Sequence, residues 1–183
     1  CLSRNLFLWL HSMDNIKAPR APKEWSQRFL VIASHVASWS KDPSTKVGAV
    51  AVRDRRILAT GFNGLPAGVH DSDARLKNRE TRLAMTIHAE QNCVAYAARA
   101  GICLAGSTVY VWPLFTCSNC AGLLIQSDVN RIVVPNFVEP IRWSESFDRA
   151  REMFIEAGVA VERIPMTGPI NPAIEEESTP DWP

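Results

Sequence analysis

The chain of 183 residues has no long apolar run and almost no excess of either charge. Its opening apolar stretch, LFLWL at 6–10, is far short of the roughly 20 residues that span a bilayer. No small-residue cleavage site follows it, so neither a membrane span nor a signal peptide is expected. Twenty basic and 19 acidic residues leave a formal net charge of +1. That balance lacks the basic excess of a phosphate-backbone binder and argues against nucleic acid as a partner. The five cysteines, at positions 1, 93, 103, 117 and 120, make no even framework. Without secretory features, disulfides are not expected and a cytoplasmic location is. Internal repeats are absent too. What is present is a 46% hydrophobic composition, which excludes a largely disordered chain and suits one domain with a sizeable core.

Three segments follow from the pattern. Residues 1–23 read as irregular, 24–166 as the folded domain, and the Pro- and Glu-rich 167–183 as a mobile tail or interface arm. Within the domain, Trp25, Phe29, Ile32, Val36 and Trp39 recur at helical spacing. The run VGAVAV at 47–52 has the length and continuity of a strand buried on both faces. A turn at 53–56 leads to a second strand at 57–62, and the charged stretch 71–82 reads as a solvated insertion. Helices are predicted over 87–100, 117–127 and the stripe Phe147, Ala150, Phe154, Ala157; strands over 108–111, 131–134 and 159–164. Strands alternating with helices late in the chain imply parallel pairing, and the short connection between the first two implies an antiparallel pair. The predicted fold is therefore α/β, a three-layer α-β-α sandwich around a mixed five-stranded sheet.

The chemistry concentrates in Thr86-Ile87-His88-Ala89-Glu90 and Thr116-Cys117-Ser118-Asn119-Cys120. One imidazole and two thiolates form a three-ligand zinc set, and three protein ligands leave the fourth tetrahedral position to water, as in catalytic sites. Both groups fall where a helix begins, and the partial positive charge of a helix N-terminus favours thiolates. Glu90, two residues after His88, can reach past the metal towards its water and exchange a proton there. A redox reading of Cys117-x-x-Cys120 leaves His88 and Glu90 without a role. Cys93 and Cys103 read as small buried residues.

These motifs resemble the zinc-dependent cytidine and deoxycytidylate deaminase superfamily; the pairing of HxE with CxxC is its general signature. The match to its deoxycytidylate (dCMP) deaminase branch rests on Asp42-Pro43-Ser44-Thr45-Lys46-Val47-Gly48, on the loop Gly61-Phe62-Asn63-Gly64-Leu65-Pro66-Ala67-Gly68, on Ile87-His88-Ala89-Glu90-Gln91-Asn92, and on Leu123-Leu124-Ile125-Gln126-Ser127. The resemblance implies a cytidine deaminase-like fold and hydrolysis of dCMP to dUMP and ammonia. It implies one Zn2+ per subunit held by His88, Cys117 and Cys120, with Glu90 moving a proton from water to N3 of cytosine. It also implies substrate contacts from the Ala89 backbone, Asn63 and Arg99. Arg99 stands where relatives carry an arginine near a subunit contact and the nucleotide phosphate. Lys46, Arg75, Lys77, Arg79 and Arg82 are further cationic candidates, most of them read as surface charges. The family often forms homo-oligomers, hexamers among them, activated by dCTP and inhibited by dTTP. Two departures bear on the base: Thr116 replaces the usual proline before the first cysteine, and one extra residue lies within Trp112-Pro113-Leu114-Phe115. A modified cytosine, a tRNA adenosine or riboflavin-pathway substrate, and a non-catalytic zinc module remain as alternatives.

Overall fold

A computed structural model describes residues 23–166; the expected irregular start and the tail at 167–183 lie outside the described residues, except that Lys23 already belongs to the first helix. Helix α1 (Lys23–Ser38) precedes the hairpin β1 (Gly48–Arg53) and β2 (Arg56–Phe62). The short helices α2 (Asp73–Lys77) and α3 (Arg79–Met85) lead into α4 (Ala89–Arg99). Then follow β3 (Thr108–Trp112), α5 (Ser118–Gln126), β4 (Arg131–Pro135), a 3-10 turn at Ile141–Trp143, α6 (Ser144–Glu156) and β5 (Ala160–Ile164).

The sheet runs β2-β1-β3-β4-β5, with β1 antiparallel to both neighbours and β3, β4 and β5 parallel. The expected mixed five-stranded sheet is thus observed. Alternation along β1 shows why it reads as continuously apolar: Ala49 and Ala51 face one core, Val50 and Val52 the other. The first core packs α4, α5 and α6 against the sheet through Cys93, Leu124, Phe147 and Phe154; the second packs α1 through Phe29, Leu30, Val36, Tyr110 and Trp112. Two helix layers around one sheet give the three-layer sandwich.

Small residues set how closely the layers approach. At Gly61 in β2, a Cβ would lie 2.3 Å from the Ala89 carbonyl oxygen and 2.3 Å from the Cys93 nitrogen. Any side chain there would lift the start of α4 off the sheet. Gly48 allows the same closeness to α1, where its Cβ would meet the Ala33 carbonyl oxygen at 2.2 Å.

Residues 71–82 face solvent as expected over most of their length, folded as α2 and the first turn of α3; the exception is Arg82, which is buried. Its Nε lies 3.4 Å from an Asp42 carboxylate oxygen, and its remaining nitrogens donate to the Leu76 carbonyl (2.6 Å) and the Ser44 hydroxyl (3.0 Å). Asp42 in turn accepts from the backbone N–H groups of Ser44 (2.8 Å) and Thr45 (3.1 Å). Arg82 reads as solvent-facing with its neighbours because a buried ion pair leaves no apolar period. Among the described residues, no helix is long and apolar enough to cross a membrane.

Candidate active site

His88 and Cys117 are the N-caps of α4 and α5, both in extended backbone conformation. The chain reaches His88 through a two-way backbone bridge, Gly64 N–H to the Ile87 carbonyl (3.1 Å) and Ile87 N–H to the Gly64 carbonyl (2.9 Å). The His88 N–H then donates to the Gln91 side chain (2.9 Å), closing the first turn. Asn92 Nδ2 donates to the Phe62 carbonyl (2.7 Å), tying α4 to β2. On the other side, Ser118 N–H donates to Ser146 Oγ (3.1 Å), which fixes the start of α5 against α6.

This scaffold brings the three expected ligands together. His88 Nδ1 lies 3.3 Å from Cys117 Sγ and 3.4 Å from Cys120 Sγ, and all three atoms lie within 4.8 Å of one another. Cys120 is buried, Cys117 half-buried and His88 exposed, so the cluster is approached from the histidine side. A soft, mixed N and S donor set at this spacing fits zinc, and no fourth His, Cys, Asp or Glu joins the group among the described residues. The electrostatics agree. A hydrogen bond from the Cys120 thiol, with one from His88, brings Cys117 down to about 4, deep in thiolate territory. The Cys117 thiolate in turn raises His88 above its ordinary value and, with burial, pushes the Cys120 thiol far up.

Glu90, in the first turn of α4, is buried, and burial first, then the Cys117 charge, raises its carboxyl above the usual range. Thr116, in place of proline, sits beside Glu90 and favours its charged form. Ala89 occupies the first helical position, where the backbone N–H has no partner within the helix.

His88, Ala89, Glu90 and Cys117 line one cavity of about 240 Å3, together with Asn63, Leu114, Phe115, Trp143 and Phe147. Asn63 is there, but largely committed to its own loop. Its side-chain oxygen accepts from Val47 N–H (2.7 Å), and its amide donates to the Thr45 carbonyl (2.8 Å), leaving one amide hydrogen to offer. Arg99 is not there: it is exposed at the far end of α4 and does not line the cavity of its own subunit. The cations that do line it are Arg79, Arg82 and Arg142. Arg142 and Trp143 are the residues that sequence reasoning missed; they lie in a 3-10 turn of three residues, too short to leave a periodic signal. Cys93 is buried as expected, with its thiol pushed up to about 12 by desolvation, and Cys103 is half-buried; both are free.

Comparison with known proteins places this geometry. Residues 23–136 match the family described as the cytidine and deoxycytidylate deaminase zinc-binding region. An uncharacterised deaminase encoded in the luxG 3' region of Aliivibrio fischeri is 41% identical over 145 residues, covering 78% of this chain and 95% of that protein. The deoxycytidylate deaminase of Mus musculus is 33% identical over 142 residues, covering 74% and 77%. Among solved structures, the dCMP deaminase of cyanophage S-TIM5 in complex with dCMP and dUMP superposes with a TM-score of 0.60 at 25% identity, covering 79% of this chain and 99% of that one.

Proposed function

Because the chain belongs to the cytidine and deoxycytidylate deaminase family, we propose that it hydrolyses the 4-amino group of dCMP, giving dUMP and ammonia, with His88, Cys117 and Cys120 holding Zn2+ and Glu90 carrying the proton. The observation that carries this reading is one cavity presenting three zinc donors within 4.8 Å of one another and a buried carboxylate beside them. Relatives named deoxycytidylate deaminase supply the substrate.

Zinc, when bound, supplies a Lewis acid that makes water a competent nucleophile near neutral pH. The chain does the rest. Glu90 takes a proton from the attacking water and delivers it to N3 of the ring, so that C4 becomes electrophilic as the new C–O bond forms. The same carboxylate then takes the proton of the new C4 hydroxyl and passes it to the amine, so that the C4 carbonyl forms as the C–N bond breaks and ammonia leaves. Its raised pKa suits both directions, since a more acidic carboxyl would take up the water's proton poorly. The Ala89 N–H donates to the base edge, and the remaining Asn63 amide hydrogen to the sugar. Phe115, Trp143 and Phe147 supply the apolar walls that exclude bulk water.

A second cavity, about 300 Å3, borders the loop at 64–69 and is lined by Trp39, Lys41 and Asp71. The family resemblance implies a regulatory nucleotide near that loop, so we place dCTP and dTTP control there. We also assign the enzyme to the cytoplasm, in keeping with the free thiols among the described residues, and to the homo-oligomers that the family resemblance implies. The test is ammonia release from dCMP, dCTP, deoxycytidine, 5-hydroxymethyl-dCMP and an adenosine-containing RNA hairpin. We expect dCMP to be preferred; preference for any other member of the set overturns the assignment.

A further inference from the structure

Helix α3 presents one face to the cavity. Arg79, Arg82, Leu83 and Thr86 all line it, and their spacing of three and four residues is that of a single helical stripe. The two ends of the stripe differ in what surrounds them. At the C-terminal end the chain runs from Thr86, the C-cap, through Ile87 into His88, so this end stands at the metal donors. The helix is 7 residues long, which sets its start about 10 Å from its end, and at that start Arg79 is exposed. What fixes α3 here is Arg82, one turn after Arg79, buried against the Asp42 carboxylate, the Ser44 hydroxyl and the Leu76 carbonyl. Ser44 is followed by Thr45 and Val47, the two residues whose backbone Asn63 binds. One buried ion pair therefore ties the start of α3 to the wall that carries the sugar contact.

From this we infer that Arg79 is a specificity-determining residue: its guanidinium binds the 5′-phosphate of the substrate and so selects the nucleotide over the nucleoside. The inference rests on the proposed function, which sets the base at the metal donors and the sugar at Asn63. The three cations of the cavity are not equivalent. Arg82 spends its guanidinium on Asp42, Ser44 and Leu76, and Arg142 takes part in an interaction of its own. Arg79 has neither a hydrogen bond nor an ion pair among the described residues, so its charge stands uncompensated at the mouth of the cavity. A phosphate dianion matches the planar fork of a guanidinium with two parallel hydrogen bonds, each strengthened by the charges. Neutral deoxycytidine offers that fork nothing.

Steady-state kinetics of the zinc-loaded enzyme on dCMP and on deoxycytidine, at low and at high salt, tests this. R79Q should raise KM for dCMP about thirtyfold, the size of one lost charge-assisted contact, with kcat lowered less than about twofold and zinc content kept. In the same enzyme kcat/KM for deoxycytidine, which has no phosphate, should fall less than about twofold. R79K, which keeps the charge and loses the fork, should recover part of the affinity for dCMP. Added salt should raise KM for dCMP in the wild type and do so less in R79Q. Should R79Q fail to fold, R79A carries the same expectations. An unchanged KM for dCMP overturns the inference. So does a loss shared equally by dCMP and deoxycytidine, which would make Arg79 a support for α3 alone. Wild-type enzyme inactive on both substrates removes the function assignment and this inference with it, whereas active wild type with indifferent variants removes the inference alone.

Discussion

The two rims of the cavity are built in opposite ways. The inner rim, His88, Glu90, Cys117 and Cys120, stands on the first turns of α4 and α5, which are packed on the sheet so closely that Gly61 has no room for a methyl group. The outer rim, Arg79, Arg142 and Trp143, stands on a short helix and a 3-10 turn, the helix tied down by an ion pair rather than by buried apolar surface. Bond making demands placement to within fractions of an ångström, which rigid elements supply. Recognition of a substrate's far end tolerates looser support, and connecting segments can vary there without disturbing the core.

The comparison can be broken most decisively at the inner rim. Glu90→Gln should lower kcat about a thousandfold, within the range ascribed to a positioned acid–base group, while zinc content by metal analysis stays at the wild-type level. Normal activity in the Glu90→Gln enzyme would erase the distinction. Beneath the outer rim, Arg82→Ala should cost about 3 kcal/mol of stability, because it strands Asp42 in a buried position without its cation. Denaturant unfolding checks this, and the inner-rim metal should still bind in the folded protein. The smallest effect concerns pH. In the metal-free protein His88 and Cys120 both hold protons more tightly than usual, while Cys117 has already lost its own at about 4. Zinc must displace those protons, so its affinity should rise by about tenfold or more per pH unit from pH 6 to 7.5, with protons released on binding. Isothermal titration in buffers of different ionisation enthalpy measures both; a flat profile would mean that the donors are preset without protons.

Much of the inner rim was legible because its residues carry chemistry in short range: His88 and Glu90 share one turn, Cys117 and Cys120 another. The strands were legible for a similar reason. Residues 47–52 are apolar at every position because β1 lies between two cores, and the five strands fall within a residue or two of their expected bounds. In the solvent-facing segment 71–82, Arg82 alone departs from the expected exposure, because the approach of Asp42 turns it inward. Asn63 was expected at the substrate and lines the cavity, yet most of its hydrogen-bonding capacity holds Val47 and Thr45 in place. Arg99 was placed near the phosphate by resemblance; in the subunit itself, three turns of α4 carry it away from the cavity.

The sequence by itself determined the donor set, the carboxylate beside it and the alternation of strand and helix that sets both at helix starts, because these depend on residue type and spacings of a few positions. The tertiary structure alone decided which cations face the cavity and what holds them there. Arg82 and Ser44 are 38 residues apart and meet only because the β1–β2 hairpin and the Gly64–Ile87 bridge fold α3 back onto Ser44. A contact made between such distant segments leaves no period along the chain, so no local pattern could announce it.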